Sequence, residues 1–251
     1  MQYQYLFVLP VEHSMFHILD AMYARASAWE QENRQTIDFI IQVGDFEAIR
    51  KEADIKNILG PAHYRKLGDF HAYFNHEKKA STPTFFVGGN HEDYDYLDSH
   101  YPEGFEVAPN INYLGRVGTK KFGAMTVGFL SGIQRPDDLT NTNKAPIPRS
   151  NHRLHSNASR KAAIYFSQRD LDVIQTTKID ILVTHLFPRS LLLAEQENAI
   201  DQLLRVLKPD YHFSGHLHTP LNKDLEIEGK IVRARILAHV GTTGDYEVIE
   251  V

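Results

Sequence analysis

Apolar positions along the chain form short unbroken runs, separated by segments in which they recur every three or four residues. YLFVL (5–9), IDFIIQV (37–43), PTFFVG (83–88), KIDILVT (178–184) and DYHFSG (210–215) have the length of strands buried on both faces. After the first run, Met15, Ile18, Leu19, Met22, Ala26 and Trp29 recur at helical spacing. They predict an amphipathic helix over 14–31 whose apolar face, Trp29 included, serves the core. Similar patterning predicts helices over 61–76, 159–176 and 195–207. NINYL (110–114) and KKFGAMTVGFL (120–130) read as shorter β segments, and IVRARILAHV (231–240) with DYEVIEV (245–251) as a closing hairpin. Helices between buried strands predict an α/β core, with the later antiparallel structure forming a second sheet. One stretch breaks the pattern: QRPDDLTNTNKAPIPRSNHRLHSNASRK (134–161) has three prolines, few large apolar residues and no period. With strands on both sides of it, it reads as an insertion within a single domain spanning 1–251.

Composition narrows the chemistry. Hydrophobic residues make up 42% of the chain and charged residues 24%, ordinary for a soluble globular protein. There is no cysteine, so disulfides and thiolate sites are excluded and any metal must use His, Asp, Glu or Asn. The net charge of −5 argues against indiscriminate nucleic-acid binding, while leaving room for a local basic patch. The opening MQYQYLFVLP lacks the basic start of a signal peptide, and no run approaches the ~20 apolar residues that span a bilayer. The expectation is an intracellular, cytoplasmic protein without a membrane partner.

Five predicted strand ends carry residues able to bind a metal: His13, Asp45, Asn90 with His91, His185, and His216 with His218. Singly, each has a plain structural reading. A strand-end histidine is usually a satisfied polar residue, Asp45 after a glycine suits a turn, and GGNHED suits a tight turn. Jointly they share the position where α/β sheets bind ligands, the carboxyl ends of strands. Imidazoles, a carboxylate and an amide oxygen suit Mn, Fe or Zn. Two such ions ~3.5–4 Å apart clamp a phosphoryl group and make a water acidic enough to attack it. A histidine beside them can protonate the leaving oxygen.

The ordered set GDF, GNHE, a strand-end TH and GHLH resembles the calcineurin-like metallophosphoesterases. Within them, VGDFEAIRKEAD (43–54), HEKKASTPTFFVGGNHE (76–92), FEVAPNINYLGRVG (105–118), FLSGI (129–133) and IDILVTHLFPRS (179–190) resemble the RNA lariat debranching enzymes. The resemblance implies a four-layer α-β-β-α sandwich of two mixed sheets flanked by helices. It implies one or two divalent ions (Mn, Fe or Zn), with Asp45 bridging them. Asn90, His185 and His216 would complete one site, and His13 with His218 would serve the other. His91 would be the general acid or charge stabiliser, and Glu92 would orient it. The implied activity is hydrolysis of phosphodiester bonds in RNA, 2′,5′ branch linkages among them, which would allow a nuclear location. His212, in the strand before GHLH, reads as a packed residue or one that supports the metal ligands from behind.

Two features depart from that pattern. Most of the superfamily begins with Asp-x-His and debranching enzymes often with Cys-x-His, where this chain has Val11-Glu12-His13. Strand alternation puts Val11 and His13 on one side and Glu12 on the other, so Glu12 does not replace the missing ligand. The expectation is a filled Asn90/His185/His216 site beside a weaker, exchangeable one at His13 and His218. The chain also ends soon after GHLH, which reads as a short form without a C-terminal extension. The insertion falls where debranching enzymes have a recognition loop, and its basic residues, Arg149 and Arg153 among them, suit a phosphate backbone. Two other functions stay open: a phosphatase or cyclic-nucleotide diesterase with a small substrate, and a non-catalytic binding scaffold, for which Val11 is the support.

Overall fold

The computed structural model describes residues 4–9, 18–60, 65–100, 102–135, 157–193, 195–238, 240 and 245–251. The strands are, in order, β1 (Tyr5–Leu9), β2 (Phe39–Gln42), β3 (Thr84–Phe86), β4 (Glu103–Ala108), β5 (Ile111–Gly115) and β6 (Val117–Phe122). They continue with β7 (Met125–Leu130), β8 (Ile181–Thr184), β9 (Tyr211–Ser214), β10 (Leu221–Ile227), β11 (Lys230–Ile236) and β12 (Glu247–Glu250). The helices are α1 (Ile18–Asn33), α2 (Phe70–Phe74), α3 (Tyr94–Leu97), α4 (Asn157–Ala163), α5 (Gln168–Gln175) and α6 (Ala199–Leu207).

Two six-stranded mixed sheets result, ordered β12-β1-β2-β3-β5-β4 and β10-β11-β9-β8-β7-β6. Alternation along each strand divides the core into layers. On β1, Phe7 and Leu9 face α1 and α2, while Leu6 and Val8 face the other sheet. On β8, Ile181 and Val183 enter the same inter-sheet layer, while Leu182 joins Leu171, Ile200 and Leu203 under α5 and α6. Both faces of the central strands are therefore buried, which is why they read as unbroken apolar runs. The four-layer sandwich implied by the sequence is the architecture observed.

Side-chain caps fix where several helices start. Asp69 reaches α1 from a distant loop and accepts from the N–H groups of Leu19 (3.2 Å) and Asp20 (2.9 Å). Ser167 with Asp170 and Asn198 with Asp201 form capping boxes on α5 and α6. Asp201 also accepts from the Arg189 N–H at 2.9 Å, fastening α6 to the loop after β8.

Three predicted elements are corrected. The helix expected over 61–76 is confined, among the described residues, to α2; Gly68 and Asp69 precede it, and Asp69 is committed to capping α1. The helix expected over 159–176 is two helices, because Ser167 takes an extended conformation (φ −113°, ψ 167°) and starts α5 anew. The closing hairpin does not form. β11 lies between β10 and β9, while β12 crosses to the first sheet and pairs antiparallel with β1, Tyr5 opposite Glu250. There Ile249 joins Leu6 in the inter-sheet layer, so burial of that face selects the partner over chain proximity. Among the described residues, no helix is long and apolar enough to cross a membrane. Of the insertion at 134–161, residues 136–156 lie outside the described residues, as do Val11, Glu12 and His13.

Arg116, between β5 and β6, is 1% exposed. Its guanidinium donates to Asp98 (2.9 Å) and to the carbonyls of Ala163 (2.8 Å) and Ser131 (3.3 Å), and lies over the Tyr94 ring. Arg116→Met strips the buried Asp98 carboxylate of its guanidinium, and urea unfolding is expected to show a loss of about 3–5 kcal/mol. A loss below about 1 kcal/mol would show the cluster to be dispensable.

His212 is fully buried, and burial lowers its pKa to about 3. The Thr184 hydroxyl donates to the Leu186 carbonyl (2.6 Å) and so accepts from His212 Nε2 (2.9 Å). The unfolded chain then binds a proton that the folded chain refuses between pH 6.5 and about 3. Stability from this residue is intact above pH 6.5 and falls with acidification, by about 1.4 kcal/mol per pH unit. His212→Gln is expected to flatten the acid limb of the stability curve by that slope. An unchanged limb would mean that His212 already takes up its proton in the folded protein.

Candidate metal centre

Each group at the centre leaves a strand at its carboxyl end, and the two sheets bring those ends together. Asp45 follows β2, Asn90 and His91 follow β3, His185 follows β8, and His216 follows β9. The approach is close because residues are small where the sheets meet. A Cβ at Gly44 would collide with the His185 ring, and one at Gly89 would collide with the Asp45 carboxylate. Gln42 braces the first turn, its amide donating to the Gly44 carbonyl and accepting from the Gly44 N–H.

The donor atoms converge on His185 Nε2. Asp45 Oδ2 lies 3.0 Å from it, Asn90 Oδ1 3.1 Å and His216 Nδ1 3.2 Å. Asp45 and His185 are 2% exposed and His216 is partly buried. The orientation of the His185 ring follows from its other nitrogen. Nδ1 faces the Val43 carbonyl at 3.0 Å, an acceptor only, so Nδ1 carries a proton and Nε2 is the nitrogen turned toward the cluster. Burial, with His185 alongside, holds the His216 pKa down at about 4, which leaves it neutral at physiological pH. Asp45 and Asn90 add oxygens that also accept. Such a cluster of lone pairs repels itself in the absence of a cation. Neighbouring ligands of an ion held octahedrally at ~2.1 Å stand ~3.0 Å apart, so the spacing fits a divalent ion bound by nitrogen and oxygen. Asp45, His185 and His216 are also the group of titratable residues, among those described, that could hold a metal.

His91 stands at the edge of this cluster. Its N–H donates to Asp45 Oδ1 at 2.8 Å, and its ring packs against Gly60, where a Cβ would come within 2.7 Å of Cε1. His218 is exposed and near enough to influence His216 electrostatically. Asp45, His216 and His218 all have left-handed backbone (φ 58°, 68° and 62°), a concentration of unfavourable conformations that is characteristic of functional sites. His13, Arg149 and Arg153 lie outside the described residues.

Glu92 occupies a different position from the one expected. It is 2% exposed, and its oxygens accept from the N–H groups of Phe46 (2.7 Å), Glu47 (3.0 Å) and Gly89 (3.2 Å). Burial and the neighbouring Asp45 carboxylate push its pKa up, while the bonds from Phe46 and Gly89 pull it down. Sequence reasoning also passed over Gln42 and the Val43 carbonyl. A polar residue closing the apolar run IDFIIQV was the available signal for Gln42; a backbone carbonyl leaves none.

The family described as calcineurin-like phosphoesterase matches residues 13–220. The lariat debranching enzyme of Danio rerio is 32% identical over 237 residues, covering 84% of this chain and 40% of that protein. The Homo sapiens lariat debranching enzyme is 34% identical over 225 residues (80% and 40%), and that of Schizosaccharomyces pombe 34% over 227 residues (80% and 46%). The chain thus spans less than half the length of each of these relatives. The family match runs from the first strand-end histidine through GHLH and takes in every strand-end group of the cluster, so the chain belongs to the calcineurin-like phosphoesterases.

Proposed function

We propose that this chain is a divalent-metal-dependent phosphodiesterase that hydrolyses RNA, with 2′,5′ branch linkages among its substrates. The observation that carries the reading is the convergence of Asp45, Asn90 and His216 on His185 Nε2 at 3.0–3.2 Å. The similarity to lariat debranching enzymes supports RNA over a small phosphoester. These residues would hold a divalent ion, which when bound would supply Lewis acidity and make water more acidic.

The residues of the chain divide the remaining work. Asp45, Asn90, His185 and His216 hold the better site, for Mn, Fe or Zn. His13 and His218 serve a second site, weakened because Val11 offers no lone pair where relatives place a ligand. His91, fastened through its backbone N–H to Asp45, donates a ring proton to the departing oxygen. Arg149 and Arg153 contact the phosphate backbone and set affinity for an oligonucleotide.

The test is hydrolysis of a 2′,5′-branched RNA against its linear 3′,5′ counterpart, with Mn²⁺ or anaerobic Fe²⁺, by the native chain and by His91→Ala. Selective loss of the branch is expected. The variant should be slower by about 10²–10⁴-fold while still binding metal. Equal cleavage of both RNAs would refute the branch preference. Inertness toward every phosphoester would refute the enzyme and favour the scaffold.

A further inference from the structure

We infer that Glu92 is a positioning residue for Asp45, holding the turn that presents its carboxylate, and that it does not act through His91. The inference rests on the proposed metal-binding role of Asp45. The backbone of VGDFE is unusual. Gly44, Asp45 and Glu47 have φ of 103°, 58° and 53°, so the turn is left-handed at three of four successive positions, two of them not glycine. L-residues rarely adopt that conformation, and it persists only where the surroundings impose it.

The surroundings here are the Glu92 carboxylate. The twisted turn aims the N–H groups of Phe46 and Glu47 in one direction, a concavity of the kind that binds anions. Glu92 fills it, Oε1 accepting from Phe46 and Oε2 from Glu47. Oε1 also accepts from Gly89, the residue whose missing side chain makes room for the Asp45 carboxylate. One buried side chain therefore holds both walls of the slot in which Asp45 lies. All three donors are backbone N–H groups, which can only donate. A carboxylate satisfies them all, whereas the isosteric amide of glutamine sets an NH₂ against at least one of them. The consequence reaches the centre through Asp45, whose Oδ2 is 3.0 Å from His185 Nε2.

Acting through Asp45 and acting through His91 leave different signatures. The full chain and its Glu92→Gln variant are compared alone and in the Asp45→Asn and His91→Ala backgrounds, by Mn²⁺ titration and by hydrogen exchange of the metal-free protein. Glu92→Gln is expected to weaken Mn²⁺ binding by about 10–100-fold. It should also accelerate exchange at Phe46, Glu47 and Gly89. The full loss should persist with His91→Ala and shrink to less than about threefold with Asp45→Asn, where the route is already cut. Unchanged Mn²⁺ affinity, or a loss that vanishes in the His91→Ala background, would overturn the inference. Should Glu92→Gln not fold, Glu92→Asp serves instead, keeping the charge but shortening its reach, with the same signs expected. Metal affinity and amide exchange need no RNA, so a chain inert toward RNA leaves this outcome readable by itself.

Discussion

Three electron-rich atoms, on Asp45, Asn90 and His216, each lie about 3 Å from His185 Nε2, and that crowding between two sheets is the constraint to which the surrounding structure answers. Asp45, Asn90, His185 and His216 offer lone pairs to a common point, an arrangement that a cation relieves. Holding them together requires rigid anchors. His185 is turned by the Val43 carbonyl, the Asp45 turn is braced by Gln42 and Glu92, and the loop after β8 is tied to α6 by Asp201. The glycines at 44 and 89 supply the space. The sandwich serves the centre because the carboxyl ends of β2, β3, β8 and β9 meet at one edge.

The same constraint accounts for the concentration of unfavourable backbone at the motifs. Asp45, Glu47, His216 and His218 all take left-handed conformations, each at the exit of a buried strand. A strand run that continued straight would carry these side chains apart. The reversal of the chain after the strand is what turns them inward, and at the Asp45 turn the N–H groups of Phe46 and Glu47 are held by the remote Glu92 carboxylate.

What was legible in the sequence follows from the range of the interactions involved. Strands buried on both faces announce themselves as apolar runs, so β1, β2, β3, β8 and β9 and the polar groups at their ends could be read locally. Motif spacing then named the family, because the ligand-type residues sit at fixed offsets from those ends. Partnership between strands is another matter. β12 has the pattern of a hairpin strand, yet it pairs with β1 at the opposite end of the chain, and only the burial of Ile249 beside Leu6 decides this. Glu92 shows the same limit at the site. Its place beside His91 in the sequence suggested a bond to that ring, whereas its carboxylate reaches across to Phe46 and Glu47, positions about 45 residues earlier. Ser167 ended a predicted helix for a local reason, its capping geometry, which the apolar period alone obscures.

The most direct test of the centre is X-ray absorption at the zinc edge on the chain loaded with one equivalent of Zn²⁺. The account predicts a nitrogen and oxygen shell at ~2.0–2.2 Å carrying the outer-shell scattering of two imidazoles, those of His185 and His216. A shell of oxygens without imidazole scattering would contradict it, because the ion would then be bound somewhere other than between the two sheets.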